Sequence, residues 1–145
     1  MLSIVTLIGR PNVGKSTIFN LLTNTKDQVV ADYPGLTRDR KYGKLSNSSI
    51  TLVDTGGIGT GGNLSKEVLA QTELAIDEAD GFLLILDAKE GMLPLDQEIA
   101  TKLRKTNKKL IPIINKINNM DKRTIDQHIY SGYENRFQIF LFLLF

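Results

Sequence analysis

The chain has 145 residues, of which 41% are hydrophobic and 23% are charged, and these values are typical of one globular domain with a buried core. It contains no cysteine, which excludes a disulfide-stabilised secreted scaffold and a thiolate metal site and favours the cytoplasm. The formal net charge of +2 is too small to indicate a class of partner.

Apolar runs alternate with helix-length segments along the chain. The first run, residues 4–8, is predicted to be a buried strand rather than a signal peptide because no basic leader precedes it. We therefore expect neither export nor membrane insertion. A helix is predicted from residue 16 to about residue 22, followed by short strands at residues 41–45 and 50–53.

The same alternation continues through the second half of the chain. The predicted elements are a helix from residue 64 to about 79, a strand at 82–86, a helix that includes Ile99 and Leu103, a strand at 110–114 and a weaker helix around Ile125. Asn63 or Ser65 is placed to cap the first of these helices. The order of elements predicts an α/β fold with a mostly parallel sheet covered by helices on both faces, in which ligands bind at the carboxyl ends of the strands.

The segment between the first strand and the first helix, residues 9–16, reads Gly-Arg-Pro-Asn-Val-Gly-Lys-Ser and is called the glycine loop below. Glycines let a backbone curl its amides around phosphates, and the next helix points its positive end at the same anions. Lys15 is predicted to reach the β- and γ-phosphates and Ser16 to coordinate Mg²⁺. The competing interpretation is a glycine-rich turn with an exposed lysine. The motif would arise by chance in a chain of this length on the order of once in a few hundred sequences.

This motif predicts a P-loop NTPase fold of the small GTPase type. The predicted nucleotide contacts in and beside the glycine loop are Gly9, Asn12, Val13, Gly14, Lys15, Ser16 and Thr17.

Two further segments are candidates for sensing Mg²⁺ and the γ-phosphate. Asp54 closes the strand at 50–53 and can hold a magnesium-bound water, and Gly57 can offer its backbone amide to the γ-phosphate. A lone Asp-x-x-Gly would be an aspartate-led turn, but its position downstream of the glycine loop favours the functional interpretation. Thr37 lies in a polar loop at residues 32–40 and is predicted to complete Mg²⁺ coordination as a switch, with a solvated surface loop as the alternative.

Together these segments resemble the first GTPase domain of the Der (EngA) family. The segments that carry the resemblance are residues 9–16, 19–20, 30–43, 54–57 and 115–116. The resemblance covers about residues 1–133 and implies a bacterial cytoplasmic GTPase that acts in assembly of the large ribosomal subunit. Members of this family have a second GTPase domain and a KH-like domain, which this sequence lacks. We therefore expect a truncated chain with one GTPase domain over residues 1–145.

The resemblance also implies how hydrolysis proceeds. Ile58 stands where many GTPases have a glutamine that positions the attacking water. The family is expected to use a K⁺ ion instead, held partly by Asn12, although a turn-forming asparagine is the alternative interpretation of that residue. Lys15, Thr37 and Gly57 are the predicted catalytic residues, and intrinsic turnover is expected to be slow.

The base-binding motif departs from the family pattern. Asn115, Lys116 and Asn118 occupy the positions of Asn-Lys-x-Asp, in which the aspartate accepts two hydrogen bonds from guanine. An amide offers one acceptor and confronts the guanine amino group with a second donor. The substitution is expected to cost about 2–4 kcal/mol of guanine affinity, and xanthine suits the amide better.

The last residues, 134–145, diverge from the family and form an apolar tail. At this length the tail is too short to span a bilayer, and it is interpreted either as a sixth strand or as out-of-frame coding sequence. Two functional alternatives to a GTPase remain at this stage. One is a nucleotide-gated binding module without significant hydrolysis, and the other is a degraded gene fragment without function.

Overall fold

The protein is represented by a computed structural model that describes residues 3–24, 40–56, 62–117, 123 and 140–141. The strands are β1 (Ser3–Ile8), β2 (Lys41–Lys44), β3 (Ile50–Asp54), β4 (Gly81–Asp87), β5 (Lys109–Asn115) and β6 (Phe140–Leu141). The helices are α1 (Lys15–Thr23), α2 (Leu64–Glu78) and α3 (Pro94–Arg104).

The strands form one sheet in the order β2-β3-β1-β4-β5-β6. Within the described residues, β2 and β3 pair antiparallel, whereas every other neighbouring pair is parallel. The expected mostly parallel sheet is therefore confirmed. β1 lies between β3 and β4, so the strands that follow it in sequence are placed first on one side of it and then on the other. Sheets of this kind bind ligands in the crevice at the carboxyl ends of the strands where this change of side occurs.

Helices cover both faces of the sheet, as predicted. The first face packs against α2 and α3 through the buried residues Ile8, Ala75, Ala79, Phe82, Leu84, Leu86, Ile99, Ala100 and Leu103. The second face packs against α1 through Leu7, Val13, Ile18, Phe19, Leu52, Leu83, Ile85 and Ile113. Successive β4 residues alternate between the two clusters because strand side chains have a period of two. All seven β4 residues are buried, as expected for a central strand of a covered parallel sheet.

Side-chain caps explain where two helices begin. The Asn63 side chain accepts a hydrogen bond from the Lys66 amide at 3.4 Å and caps α2, so the first of the two predicted caps is confirmed. In α3, Pro94 occupies the first turn, where a missing amide costs nothing. The Asp96 carboxylate accepts a hydrogen bond from the Leu93 amide at 2.9 Å.

The tail contributes a short strand. The backbone of β6 pairs parallel with β5, with Phe140 opposite Ile113 and Leu141 opposite Ile114, so the sixth-strand interpretation is borne out for these two residues. The helix predicted around Ile125 lies outside the described residues. Among the helices in the described part of the chain, none combines the length and apolarity that crossing a bilayer requires.

Candidate functional site

A pocket of about 760 Å³ opens at the carboxyl ends of the central strands. Its lining comes from the glycine loop, the start of α1, the end of β3, the first half of α2 and Lys116. A volume of this size accommodates a small-molecule ligand or cofactor. Thr17, Lys41 and Thr55 are also in the lining, and the last two were not among the predicted site residues.

The glycine loop leaves no room for a Cβ atom at two positions. Gly14 has φ +97°, and a Cβ added there would lie 2.2 Å from the Asn115 Nδ2 atom. A Cβ at Gly9 would lie 2.5 Å from the Ile85 carbonyl oxygen. Asn12 also has a positive φ, +64°, which asparagine tolerates better than most residues. The loop therefore has the tight curl expected of a backbone that surrounds an anion.

Lys15 is held inside the loop rather than in solvent. Its side-chain Nζ donates hydrogen bonds to the carbonyl oxygens of Gly9 at 2.9 Å and of Arg10 at 2.8 Å. Burial lowers the pKa of Lys15 below its ordinary value; the Asp54 carboxylate opposes this shift and the Arg10 guanidinium adds to it. A poorly hydrated ammonium group of this kind gains strongly from an anionic ligand.

Ser16 lines the pocket and contacts Asp54, the last residue of β3. The Ser16 Oγ donates a hydrogen bond to Asp54 Oδ2 at 2.6 Å, and the Gly56 amide donates to Asp54 Oδ1 at 2.9 Å. Asp54 is fully buried at the end of β3, so its carboxylate has a fixed orientation. A hydroxyl and a carboxylate this close together offer the oxygen ligands that Mg²⁺ prefers, and the residues present therefore fit the metal expected from the sequence.

The segment after β5 is tied to the glycine loop. The Asn115 Nδ2 donates to the Val13 carbonyl oxygen at 2.9 Å, and the Lys116 Nζ donates to the Asn12 carbonyl oxygen. Asn115 Oδ1 is buried and has no hydrogen-bond partner among the described residues, so it can accept a hydrogen bond from a further group. The structure thus brings two of the predicted base-binding residues, Asn115 and Lys116, against the predicted phosphate-binding loop.

Asp87, at the end of β4, was missed by the sequence reasoning. Its Oδ2 accepts a hydrogen bond from Lys116 Nζ at 2.7 Å, and its Oδ1 accepts one from the Lys89 amide at 2.8 Å. Burial alone would raise the pKa of Asp87, but the hydrogen bonds from Lys116 and the backbone lower it overall. The available signal was a carboxylate directly after an apolar strand, at the edge where ligands bind.

Most of the predicted site residues therefore converge on one pocket. Those that line it are Gly9, Asn12, Gly14, Lys15, Ser16, Thr17 and Lys116. Asp54 hydrogen-bonds to Ser16, and Val13 and Asn115 hydrogen-bond to each other next to lining residues. Thr37, Gly57 and Asn118 lie outside the described residues, so their predicted roles stay predictions. Chemically, the described part of the pocket can bind a polyanion through Lys15 and the loop amides and can supply oxygen ligands to a divalent cation.

Comparison with known proteins agrees with this chemistry. The family model described as 50S ribosome-binding GTPase matches residues 4–116. The GTPase Der of Alteromonas mediterranea is 52% identical over 134 residues, which are 90% of this chain and 28% of the relative. The GTPase Der of Aeromonas salmonicida is 52% identical over 124 residues, which are 83% of this chain and 25% of that relative. The resemblance to Der is confirmed, and the chain spans about a quarter of these curated relatives.

Solved structures show the same fold. A variant of Era from Aquifex aeolicus bound to GDP and AlF₄⁻ superimposes with a TM-score of 0.69 at 32% identity. The match covers 90% of this chain and 46% of the Era chain. The G domain of the T. maritima FeoB iron transporter superimposes with a TM-score of 0.56 at 27% identity, and the match covers 89% of this chain and 83% of the FeoB chain. The predicted P-loop NTPase fold of the small GTPase type is confirmed.

Proposed function

The chain belongs to the 50S ribosome-binding GTPase family, and from this premise we propose that it binds GTP and hydrolyses it to GDP and phosphate. The observation that carries the proposal is that Lys15 and Ser16, at the end of a tightly curled glycine loop, line one pocket and that Ser16 contacts the buried Asp54 carboxylate. The Era structure bound to GDP and AlF₄⁻ supports guanine nucleotide as the ligand. The proposed domain is a single GTPase domain over residues 1–145.

The phosphates would be bound by the glycine loop. Its amides and the amino end of α1 supply the positive field, and Lys15 exchanges its two carbonyl partners for phosphate oxygens. Because Lys15 is nearly excluded from water, its charge acts on a developing phosphate charge with little dielectric screening. Gly57 would donate its backbone amide to the γ-phosphate.

Mg²⁺ would be held by Ser16, by Asp54 through a water, and by Thr37 when the γ-phosphate is present. The metal would neutralise charge on the phosphates. Ser16 and Asp54 already lie within hydrogen-bond distance, so little rearrangement of these two residues is needed. K⁺ beside Asn12 is proposed as the charge that compensates for Ile58 at the position of the usual glutamine, and turnover is expected to be slow.

The base would be bound by Asn115, Lys116 and Asn118. Asn115 and Lys116 are fixed by their hydrogen bonds to the glycine loop, which supports a rigid base site next to the phosphates. Asn118 weakens guanine recognition because its amide offers one acceptor where a carboxylate offers two. This chain therefore binds GTP less tightly than a relative with aspartate at the same position.

Phosphate release from GTP by the purified chain, with Mg²⁺ and K⁺ present, tests the proposal directly. We expect slow release that Lys15→Ala abolishes. Equilibrium binding of GTP, XTP and ATP to the unmodified chain and to Asn118→Asp tests the base site. We expect Asn118→Asp to bind GTP at least about 30-fold more tightly than the unmodified chain does. Release equal to that of Lys15→Ala, with GTP still bound, would favour a nucleotide-gated binding module. Absence of both binding and a cooperative thermal transition would favour a functionless fragment.

The proposed partner is the large ribosomal subunit in the cytoplasm. This proposal rests on the matched family and on similarity to Der over about a quarter of that protein. Co-sedimentation of the chain with purified large subunits, in GTP and in GDP, tests it. Recovery of the chain in the subunit fraction in GTP supports the proposal, and recovery no greater than that of a Lys15→Ala control contradicts it.

A further inference from the structure

Arg10 lies in the glycine loop but does not line the pocket, although its neighbours Gly9 and Pro11 do. The side chain is nevertheless only 10% exposed. A buried guanidinium needs charged or hydrogen-bonding partners to offset its desolvation, and here these partners come from the segment between β4 and α3.

The partner of Arg10 that is out of contact with water is Asp96, in the first turn of α3. The Arg10 Nε donates to both Asp96 carboxylate oxygens at 2.9 Å, and the Asp96 side chain is fully buried. A second carboxylate, that of Glu90, accepts from Arg10 Nη1 at 2.8 Å but is 54% exposed. Because solvent weakens exposed ion pairs, Asp96 is the stronger anchor of the two.

Asp96 is itself rigidly placed. Its Oδ2 also accepts the Leu93 amide at 2.9 Å, and α3 is fixed on the sheet by the buried residues Ile99, Ala100 and Leu103. The Asp96 carboxylate therefore fixes the first half of the glycine loop relative to the packed helix α3.

The backbone of Arg10 is where this anchor meets the proposed chemistry. Its carbonyl oxygen accepts a hydrogen bond from Lys15 Nζ at 2.8 Å, so the position of the Arg10 backbone helps to set the position of the ammonium group. The other side of the loop is held independently, because Lys116 donates to the Asn12 carbonyl oxygen. Loss of the Arg10 anchor would thus free one side of the loop and leave the other in place.

We propose that Arg10 is a positioning residue, which shapes the glycine loop and places Lys15 for phosphate binding through its buried ion pair with Asp96. The inference deepens the proposed function and rests on it for its consequences in nucleotide binding. The shaping of the loop is a property of the chain without nucleotide, so it can be tested separately.

The test uses Arg10→Gln, Asp96→Asn and the double variant. Lys102→Gln is the matched control for an ion pair of α3, because Lys102 contacts Glu73 on α2 at 2.8 Å and neither residue lines the pocket. Leu103→Ala is the control for lost stability, because Leu103 is fully buried on the same helix. All variants are compared at a temperature at which circular dichroism shows each to be folded.

The first readout is the Kd of a fluorescent GDP analogue. We expect Arg10→Gln and Asp96→Asn each to raise the Kd about 10–100-fold, by analogy with residues that orient a ligand-binding group. The double variant should bind no more weakly than the worse single variant because both act through one contact. The two controls should stay within about twofold of the unmodified chain. A Kd for Arg10→Gln no higher than that of Leu103→Ala would overturn the proposal.

The second readout is amide hydrogen exchange of residues 9–16 without nucleotide. We expect faster exchange of this segment in Arg10→Gln than in Leu103→Ala. Exchange of the other segments in the two variants is measured as well, so that a difference in overall stability can be corrected for. Unchanged exchange in this segment contradicts the inference whatever the Kd values are. Faster exchange in a chain that binds no GDP even when unmodified would support the positioning role and refute the proposed function.

Discussion

Lys15 carries a positive charge that is almost withdrawn from solvent, with a relative exposure of 8%. In the absence of an anion its hydrogen-bond partners are the two backbone carbonyl oxygens of Gly9 and Arg10. Two neutral acceptors compensate incompletely for the lost hydration of an ammonium group. The proposed function therefore has a cost in stability, which should be visible in the pH dependence of unfolding.

We predict that the free energy of unfolding of the unmodified chain rises with pH relative to that of Lys15→Met. Burial lowers the pKa of Lys15 in the folded state, whereas the unfolded chain has the ordinary value of 10.5. Between the lowered pKa and 10.5 the unfolded state binds more protons, so the folded state gains stability as the pH increases. Below that window the unfavourable contribution is present in full.

Urea unfolding of both proteins from neutral pH to pH 10.5 measures this difference. Other titrating groups are common to both chains and largely cancel. A difference that is constant or falls with rising pH would show that Lys15 is not destabilised by burial in the unliganded loop.

Gly14 shows the steric limits of the same loop. We predict that Gly14→Ala lowers the free energy of unfolding by about 2 kcal/mol or more, because alanine is strained at φ +97° and its Cβ would displace the Asn115 side chain. Nucleotide binding should weaken as well. Thermal and urea unfolding, with a GDP titration, measure both effects.

Gly62→Ala is the matched control for this substitution. A Cβ at Gly62 meets the end of the flexible Glu67 side chain, which can move away. We expect a change within about 0.5 kcal/mol. Equal effects of the two substitutions would mean that the loop relaxes around a larger residue.

Between elements, an ion pair connects the entry of β2 to the last turn of α2. The Arg40 Nη1 donates to the Glu78 carboxylate, and Arg40 Nη2 lies 3.5 Å from Gln71 Oε1. The Arg40 side chain is 3% exposed and that of Glu78 is 42% exposed. The end of the segment predicted to be a switch is thus attached to a helix that lines the pocket.

We predict that Glu78→Gln lowers the free energy of unfolding by about 1–3 kcal/mol, because it leaves a nearly buried guanidinium without its carboxylate. Glu73→Gln, which breaks the more exposed pair with Lys102, should have little measurable effect. Urea unfolding of the two variants and the unmodified chain gives the comparison. A negligible effect of Glu78→Gln would show that Arg40 finds other compensation.

The elements themselves could be predicted from local sequence. The apolar runs, the Asn63 cap and the Gly-Lys-Ser motif each act within a few residues, so their pattern is visible without the fold. Where the prediction gave both ends of a strand or helix, each end differs from the observed one by at most one residue. The pairs Arg10–Asp96 and Arg40–Glu78 could not be predicted, because they join residues that only the tertiary packing brings together.

Across the whole molecule, the sheet depends on burial of both its faces. We predict that Leu84→Ala, in the middle of β4, lowers the free energy of unfolding by about 3–5 kcal/mol, since the fully buried side chain is lost and a cavity remains. Leu74→Ala removes the same atoms from a site on α2 that is 49% exposed and should change stability by about 0.5 kcal/mol or less.

Denaturation in urea measures both leucine variants. A small effect of Leu84→Ala would indicate that the helices collapse onto the vacated space. A large effect of Leu74→Ala would indicate that this leucine is covered in solution.

The candidate site was partly predictable for a physical reason. Gly9, Lys15, Ser16 and Asp54 belong to motifs that are each local to one loop, and their spacing is typical of proteins that bind a phosphate chain and a metal. Asp87 was missed because it was recognised only through its contact with Lys116, which follows the next strand, β5.

The two hydrogen bonds that join the glycine loop to the end of β5 also bear on the order in which the molecule assembles. Asn115 and Val13 are 102 positions apart, and Lys116 and Asn12 are 104 positions apart. Contacts at such separation close large loops and are expected to form late in folding. A nascent or refolding chain should therefore acquire its ligand pocket only after β5 has docked beside β4, so nucleotide binding would report the completion of folding.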